Sequence, residues 1–203
     1  MEQLETEVKF YLSDIQSTRQ RILDLGARSC GRFFESNVRF EDAEKTLKQK
    51  KSLLRLRRDQ KVTLTFKQVP PIINTQFKVM KELEVEVSDF DTTHHILQAL
   101  GFHHAQIYEK WRETLVLNQT HFCLDSLPFG QFLEIEGPEK DIQNYGVKLD
   151  FPWDQRILLN YLQIFEILQK KLMLNFSDVT FANFKNVKSD LAEYLTLLVE
   201  NDG

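Results

Sequence analysis

The chain has 203 residues and a net charge of −4, and its hydrophobic fraction of 42% is enough to build one sizeable core. Sixteen phenylalanines and two tryptophans exclude a disordered chain, and the acidic balance argues against general nucleic-acid binding. Cys30 and Cys123 are too few and too far apart for a disulfide scaffold or a zinc site. Because the acidic N-terminus lacks a signal-peptide core and no apolar run of about 18 residues exists, we expect one cytoplasmic domain, 1–203, without a membrane partner.

Period-two alternation predicts that most of the first two thirds of the chain forms strands joined by short turns, which favours an antiparallel sheet. A helix after the first strand is bounded by Ser13 as N-cap and Gly26 as stop, and a second helix ends at Gly101. After Pro138 the pattern becomes helical. In chain order we predict a strand at 3–12, a helix at 13–26, strands at 32–42, 52–59, 61–69 and 77–89, a helix at 91–102, strands at 105–117, 120–127 and 130–137, a helix at 154–174, and one or two more helices within 178–200.

One face of most predicted strands carries paired charges two positions apart. The polar residues that share this face are Glu5, Glu7, Lys9, Arg55, Arg57, Thr63, Thr65, Lys67, Glu82, Glu84, Glu86, Lys110, Arg112, His121, Cys123, Asp125, Glu134 and Glu136. For a single strand, the ordinary interpretation is a charged face in water above an apolar face on a core. The whole set favours another one, because eight strands are enough to close a barrel with the charged face inside.

A closed lumen with this many charges is stable only if the charges pair with one another, with water or with a ligand. Paired arginines suit bidentate contacts to phosphate oxygens. Carboxylates supply the hard oxygen ligands that Mg²⁺ and Mn²⁺ prefer. The pattern therefore predicts a lumen that binds a polyanion together with a divalent cation.

The ordered motifs resemble the CYTH superfamily, also called triphosphate tunnel metalloenzymes. ETEVK is similar to the ExExK signature, LRLR to the RxR element and KWR to the KxR pair, while TFK, ELEVE and LDSLPFGQFLEIEG supply the remaining elements in order. The resemblance runs from residue 5 to about 137. It implies an α+β fold: an eight-stranded antiparallel closed tunnel barrel with a polar lumen at about 3–137, helices packed outside, and a helical C-terminal cap at about 139–203.

The resemblance also implies a role for each matched residue. The implied phosphate contacts are Lys9, Arg55, Arg57, Lys67, Lys110 and Arg112, and the phase of the second strand adds Arg39. Glu134 and Glu136 would hold the metal that organises the triphosphate, while Glu5 and Glu7 would hold a second metal and orient the attacking water; with Lys9 they form the expected catalytic set. Metal or water contacts are implied for Glu82, Glu84 and Asp125.

Members of the superfamily hydrolyse triphosphates or cyclise ATP. The best-known cyclases carry a His-Phe pair before ExExK, and this chain has only four residues before Glu5 and no such pair. We therefore expect hydrolysis of a small triphosphate, inorganic triphosphate first, with thiamine or nucleoside triphosphate as further substrates. The alternatives are a class IV adenylate cyclase and a polyphosphate- or nucleotide-binding protein without turnover.

Several residues keep two interpretations. Trp111 and Tyr108 are candidates for an aromatic platform or for core packing, and His121 has the phase of a lumen residue. Lys148 and Arg156 are candidates for one more basic contact. The C-terminal helices cap the barrel or, through an apolar face, form a homodimer.

Overall fold

The computed structural model describes residues 3–71, 74–187, 191–194 and 198. Its strands are β1 (Gln3–Tyr11), β2 (Arg28–Glu41), β3 (Ser52–Arg58), β4 (Val62–Gln68), β5 (Lys78–Glu86), β6 (His103–Leu117), β7 (Thr120–Leu127) and β8 (Gly130–Glu136). Its helices are α1 (Ile15–Asp24), α2 (Thr46–Gln49), α3 (Phe90–Ala99), α4 (Glu139–Lys148), α5 (Tyr161–Lys171) and α6 (Phe181–Phe184), with 3-10 turns at Trp153–Gln155 and Leu191–Tyr194.

The strands form one antiparallel ring in the order β1-β5-β4-β3-β2-β6-β7-β8, which confirms the predicted fold class. The ring is uneven, because β1 pairs with β5 over residues 3–7 and with β8 over residues 7–11. β6 is likewise paired with β2 along most of its length but with β7 only from Trp111 onward. Helices pack on the outside of the ring.

The C-terminal extension, the residues after β8, bonds to the ring at two points where these pairings end. Lys9 and Ile157 exchange backbone hydrogen bonds of 3.2 and 2.7 Å. The N–H of Val179 donates to the carbonyl of Ile107 at 2.8 Å, and the N–H of Glu109 donates to the carbonyl of Val179 at 2.9 Å. The extension is therefore attached to β1 and to β6, with α5 between the two attachments.

Apolar side chains on the outer face of the ring bury beneath helices. α1 and α4 contribute to a core with Val8, Phe10 and Leu133, which are at most 1% exposed. α3 covers Leu56 on β3. The alternation of β1 gives Leu4 the same outward phase as Val8 and Phe10 and so predicts that all three pack against helices, but Leu4 is 62% exposed and that prediction is wrong for it.

Capping residues explain where the predicted helix bounds fail. Asp14, and not Ser13, caps α1, because its carboxylate accepts the N–H groups of Gln16 and Ser17. The single helix predicted at 154–174 is wrong in its first seven residues, since Asn160 forms a capping box with Gln163 and α5 begins only at Tyr161.

The segment 178–200, predicted to hold one or two helices, holds α6 and the 3-10 turn at Leu191–Tyr194 within the described residues, and 188–190, 195–197 and 199–203 lie outside them. α2 was not predicted, and α4 lies within the predicted helical cap at about 139–203 but was given no bounds of its own. None of the helices in the described part of the chain combines the length and apolar character needed to cross a bilayer. The single-domain organisation over 1–203 stays a prediction.

Candidate active site

Alternation along the strands places one row of side chains from each strand inside the ring, where they line a cavity of about 1240 Å³. The predicted site residues on its wall are Glu5, Glu7, Lys9, Arg39, Arg55, Arg57, Lys67, Glu82, Glu84, Lys110, Arg112, Glu134 and Glu136. Asp125 lies behind this wall. The charged face of the predicted strands therefore faces inward and meets in one space.

Glu134 on β8 holds two of the predicted phosphate-binding residues. Its Oε1 lies 2.7 Å from Lys9 Nζ, and its Oε2 accepts a hydrogen bond from Arg112 Nη2. Burial alone would raise the pKa of Glu134, but the charges of Lys9, Arg112 and Lys110 hold that pKa well below its ordinary value. Glu134 is therefore an anion that keeps both cations beside the cavity.

Lys67 on β4 bridges two carboxylates. Its Nζ contacts Glu5 Oε2 and lies 2.9 Å from Glu82 Oε2. Burial opposes ionisation of Glu5, yet Lys67 and Lys78 outweigh it and lower the pKa of Glu5. Burial raises the pKa of Glu82, with Lys67 offsetting only part of the effect.

Lys78 on β5 is a cation of the cavity wall that sequence analysis missed. Its Nζ lies 2.5 Å from Glu7 Oε1. Burial acts to lower the pKa of Lys78, but Glu7 and then Glu134 outweigh it and raise that pKa. The signal for this residue was present, because Lys78 shares the strand phase of Glu82 and Glu84.

Arg55 on β3 keeps a hydrogen-bond donor for a ligand, whereas Arg57 Nε donates to Thr63 at 3.1 Å and lies 3.3 Å from Asp59. Arg55 donates to the hydroxyl of Tyr108 at 3.3 Å and to that of Thr65 at 3.2 Å. The carboxylate of Glu84 lies 3.6 Å from Arg55 and 3.7 Å from Arg57, longer than a good charged hydrogen bond. The buried Nε of Arg55 has no hydrogen-bond partner among the described residues.

Asp125 on β7 is fully buried, and its carboxylate accepts hydrogen bonds from three side chains. Lys110 Nζ donates to its Oδ2 at 3.0 Å, Arg112 Nε to its Oδ1 at 2.7 Å, and the hydroxyl of Tyr161 to its Oδ2 at 2.7 Å. These bonds fix Lys110 and Arg112 at the wall. The role of Asp125 as a metal or water ligand stays a prediction.

Glu35 on β2 is a second charged residue that sequence analysis missed. Its carboxylate lies 3.5 Å from Lys110 Nζ and 3.9 Å from Arg112 Nε. Burial would raise the pKa of Glu35, but Lys110 and then Arg112 outweigh it and lower the pKa to about 2. Glu35 shares the strand phase of Arg39, so the sequence contained the signal for this residue.

Glu136 lies where the cavity has too few cations for its carboxylates. Burial, followed by the charges of Glu5 and Glu7, raises the pKa of Glu136 to about 7. A carboxylate whose pKa is raised by burial and by two neighbouring carboxylates is a candidate ligand for an added cation. This donor set fits a hard divalent metal.

Four residues with open interpretations lie away from the cavity wall. Trp111 is on the outer face, where it contacts Phe34, so it is not a platform in the lumen. His121 is exposed and is absent from the wall. Arg156 donates to the backbone carbonyls of residues 75, 76 and 153, and Lys148 lies over the ring of Tyr145. Tyr108 does line the cavity.

The profile of the CYTH domain matches residues 3–173, so this chain belongs to the CYTH family. The family comprises enzymes of the triphosphatase and adenylate cyclase types, which are generally metal-dependent. No curated protein matches the chain.

Solved structures with the same fold come from several organisms. The PH1012 protein of Pyrococcus horikoshii OT3 is 26% identical, with a TM-score of 0.66 over 77% of this chain and 96% of that one. A candidate adenylate cyclase from Vibrio parahaemolyticus is 19% identical, with a TM-score of 0.70 over 82% and 99%. The adenylyl cyclase candidate HpAC1 from Hippeastrum, described as having a dominant triphosphatase activity, is 16% identical, with a TM-score of 0.57 over 82% and 96%.

Proposed function

We propose that this chain is a divalent-metal-dependent hydrolase of a small triphosphate, with inorganic triphosphate preferred and thiamine or nucleoside triphosphates as further substrates. The observation that supports this most is Arg55, whose buried Nε has no acceptor among the described residues and which lines a cavity rich in cations. A buried guanidinium N–H without an acceptor is costly, and a phosphate oxygen would complete its hydrogen bonding.

The residues Glu5, Glu7, Glu134 and Glu136 fit Mg²⁺ or Mn²⁺ and would hold it. Among the described residues no three His, Cys, Asp or Glu side chains are grouped so that they could hold a metal ion, and Glu5, Glu7 and Glu134 each contact a lysine. Ligand binding would release these carboxylates, since triphosphate competes for the lysines. When bound, the divalent cation neutralises phosphate charge and orients the chain of phosphates.

The reaction needs positioning and charge neutralisation more than covalent help. Lys9, Arg55 and Arg112 bind phosphate oxygens, and Glu5 and Glu7 orient the attacking water. The water oxygen forms a bond to the terminal phosphorus, the bond to the diphosphate leaving group breaks, and the proton of the water passes to a carboxylate of the cavity. The cations stabilise the charge that develops on the leaving group.

A class IV adenylate cyclase is the second candidate, and the apolar part of the cavity wall favours it. The wall includes the apolar side chains of Leu53, Val69, Pro70, Leu158 and Leu162. Such a surface suits the base of a nucleotide, which inorganic triphosphate lacks. A cyclase would aim the ribose hydroxyl at the α-phosphate and release cyclic AMP with pyrophosphate.

Product analysis distinguishes these functions. Tripolyphosphate, thiamine triphosphate and ATP are each incubated with Mg²⁺ or Mn²⁺, and orthophosphate, pyrophosphate and cyclic AMP are measured. Orthophosphate from tripolyphosphate is expected; cyclic AMP from ATP would identify the cyclase, and binding without product would identify a binding protein.

The double variant Glu5→Gln, Glu7→Gln checks the roles of these carboxylates. It should lose turnover while it still binds tripolyphosphate, because the amides keep the shape of the site but lose the charge that holds metal. Turnover at the wild-type rate in this variant would contradict their role.

A further inference from the structure

We infer that Tyr161 is a positioning residue for the proposed reaction: α5 places its ring against Lys9 and Lys110 and its hydroxyl against Asp125, and so sets the geometry with which the cavity grips phosphate. This inference rests on the proposed function. It extends the site from the barrel strands to a helix of the C-terminal extension, which none of the matched motifs includes.

Backbone bonds and a helix cap in the C-terminal extension place Tyr161 at the cavity wall. Ile157 is bonded through its backbone to Lys9, and the chain then reaches Asn160, whose side chain caps the first turn of α5. Tyr161 is the first residue of that helix and lines the cavity. Its ring packs edge-on against Phe132, which has the inward phase of β8, at a centroid distance of 5.3 Å. Phe165, one turn further along α5, is buried and anchors the helix.

The ring of Tyr161 stabilises two buried ammonium groups without competing with phosphate. Lys9 Nζ lies 4.3 Å from the ring centroid, and Lys110 Nζ lies 5.2 Å from it. An aromatic face attracts a cation electrostatically but accepts none of its strong hydrogen bonds and carries no net charge. A carboxylate in the same place would neutralise the lysines. The ring therefore contacts both lysines without adding a further negative charge to the carboxylates that already pair with them.

The hydroxyl of Tyr161 fixes the carboxylate that holds the other cations. It donates to Asp125 Oδ2 at 2.7 Å, the oxygen that also accepts from Lys110. Burial, followed by the charge of Asp125, raises the pKa of Tyr161 well above its ordinary value, so the phenol remains a donor. One side chain thus contacts Lys9, Lys110 and the carboxylate that also holds Arg112.

Two substitutions separate the ring from the hydroxyl, and a third controls for helix stability. Tyr161→Leu removes both groups, Tyr161→Phe removes only the hydroxyl, and Phe165→Leu weakens the packing of the same helix away from the cavity. Calorimetric titration with tripolyphosphate, without metal and with Mg²⁺, gives the dissociation constant for folded protein. Steady-state kinetics give kcat and KM.

Tyr161→Leu should weaken tripolyphosphate binding about tenfold or more, because two desolvated cation–π contacts are lost. Tyr161→Phe should change binding by less than about threefold and lower kcat about tenfold, the effect of one hydrogen bond to a charged group. Phe165→Leu should lower the melting temperature with binding and KM unchanged. The inference is overturned if Tyr161→Leu binds like the wild type, or if Phe165→Leu weakens binding as much.

The binding measurement also separates this inference from the proposed function. If the wild type binds tripolyphosphate without releasing orthophosphate, the proposed hydrolysis fails. The weaker binding of Tyr161→Leu would still support the positioning role in that case.

Discussion

Replacing Glu35 by glutamine should destabilise the protein at neutral pH by an amount that shrinks in acid. The pKa of Glu35 is lowered from 4.5 to about 2, because Lys110 and Arg112 outweigh the effect of burial. A shift of this size corresponds to about 3 kcal/mol of stability that only the ionised carboxylate provides. Glutamine resembles the protonated acid, so Glu35→Gln should lose about this amount at pH 7.

The sign of the pH dependence follows from the lowered pKa. The stabilising contribution of Glu35 is fully present above its unfolded pKa of 4.5 and is lost as the pH falls toward about 2. The difference between wild type and Glu35→Gln should therefore be nearly constant from pH 7 to pH 5 and narrow to about 2 kcal/mol at pH 3.5.

Urea unfolding followed by circular dichroism at pH 7, 5 and 3.5 measures this difference. Glu44→Gln makes the same chemical change at an exposed position and should alter the free energy of unfolding by less than about 0.5 kcal/mol. A difference for Glu35→Gln below about 1 kcal/mol at pH 7, or one that does not change with pH, would refute the electrostatic account of this residue.

The remaining predictions concern the outer face of the ring, where replacing a leucine by alanine should change the free energy of unfolding greatly at one position and hardly at another. Leu133→Ala should lower the free energy of unfolding by about 2–5 kcal/mol, because the side chain is fully buried beneath the outer helices. Leu4→Ala should change it by less than about 0.5 kcal/mol, because Leu4 is 62% exposed. Urea unfolding of both variants at pH 7 is the measurement, and equal losses would contradict the assigned burial.

The strands and most of the cavity wall could be predicted from sequence because their signal is local. Alternation with period two fixes which side chains share a face, as it does for Glu5, Glu7 and Lys9. Eight strands are enough to close the sheet into a barrel, and closure places the charged face inside. Alternation also places Lys78 on the internal face, because it shares the strand phase of Glu82 and Glu84.

The contributions of other elements could not be predicted in this way. Tyr161 reaches the cavity because the extension bonds to β1 beside Lys9, and this tertiary contact leaves no periodic pattern in the sequence. The exposure of Leu4 likewise does not follow from alternation, since Leu4 has the same phase as the buried Val8. The late start of α5 depends on the cap at Asn160 and on the extended chain at Ile157 before it.

The central claim is that the charged cavity binds triphosphate, and calorimetric titration of metal-free protein with tripolyphosphate tests it most directly. Arg55→Gln removes a buried cation of the wall, while Arg19→Gln removes an arginine whose partner Glu113 lies on the outer face of β6. The account predicts binding weakened about tenfold or more for Arg55→Gln, the value of a charged hydrogen bond, and unchanged for Arg19→Gln. Equal affinity of the two variants and the wild type, or no binding by the wild type, would contradict it.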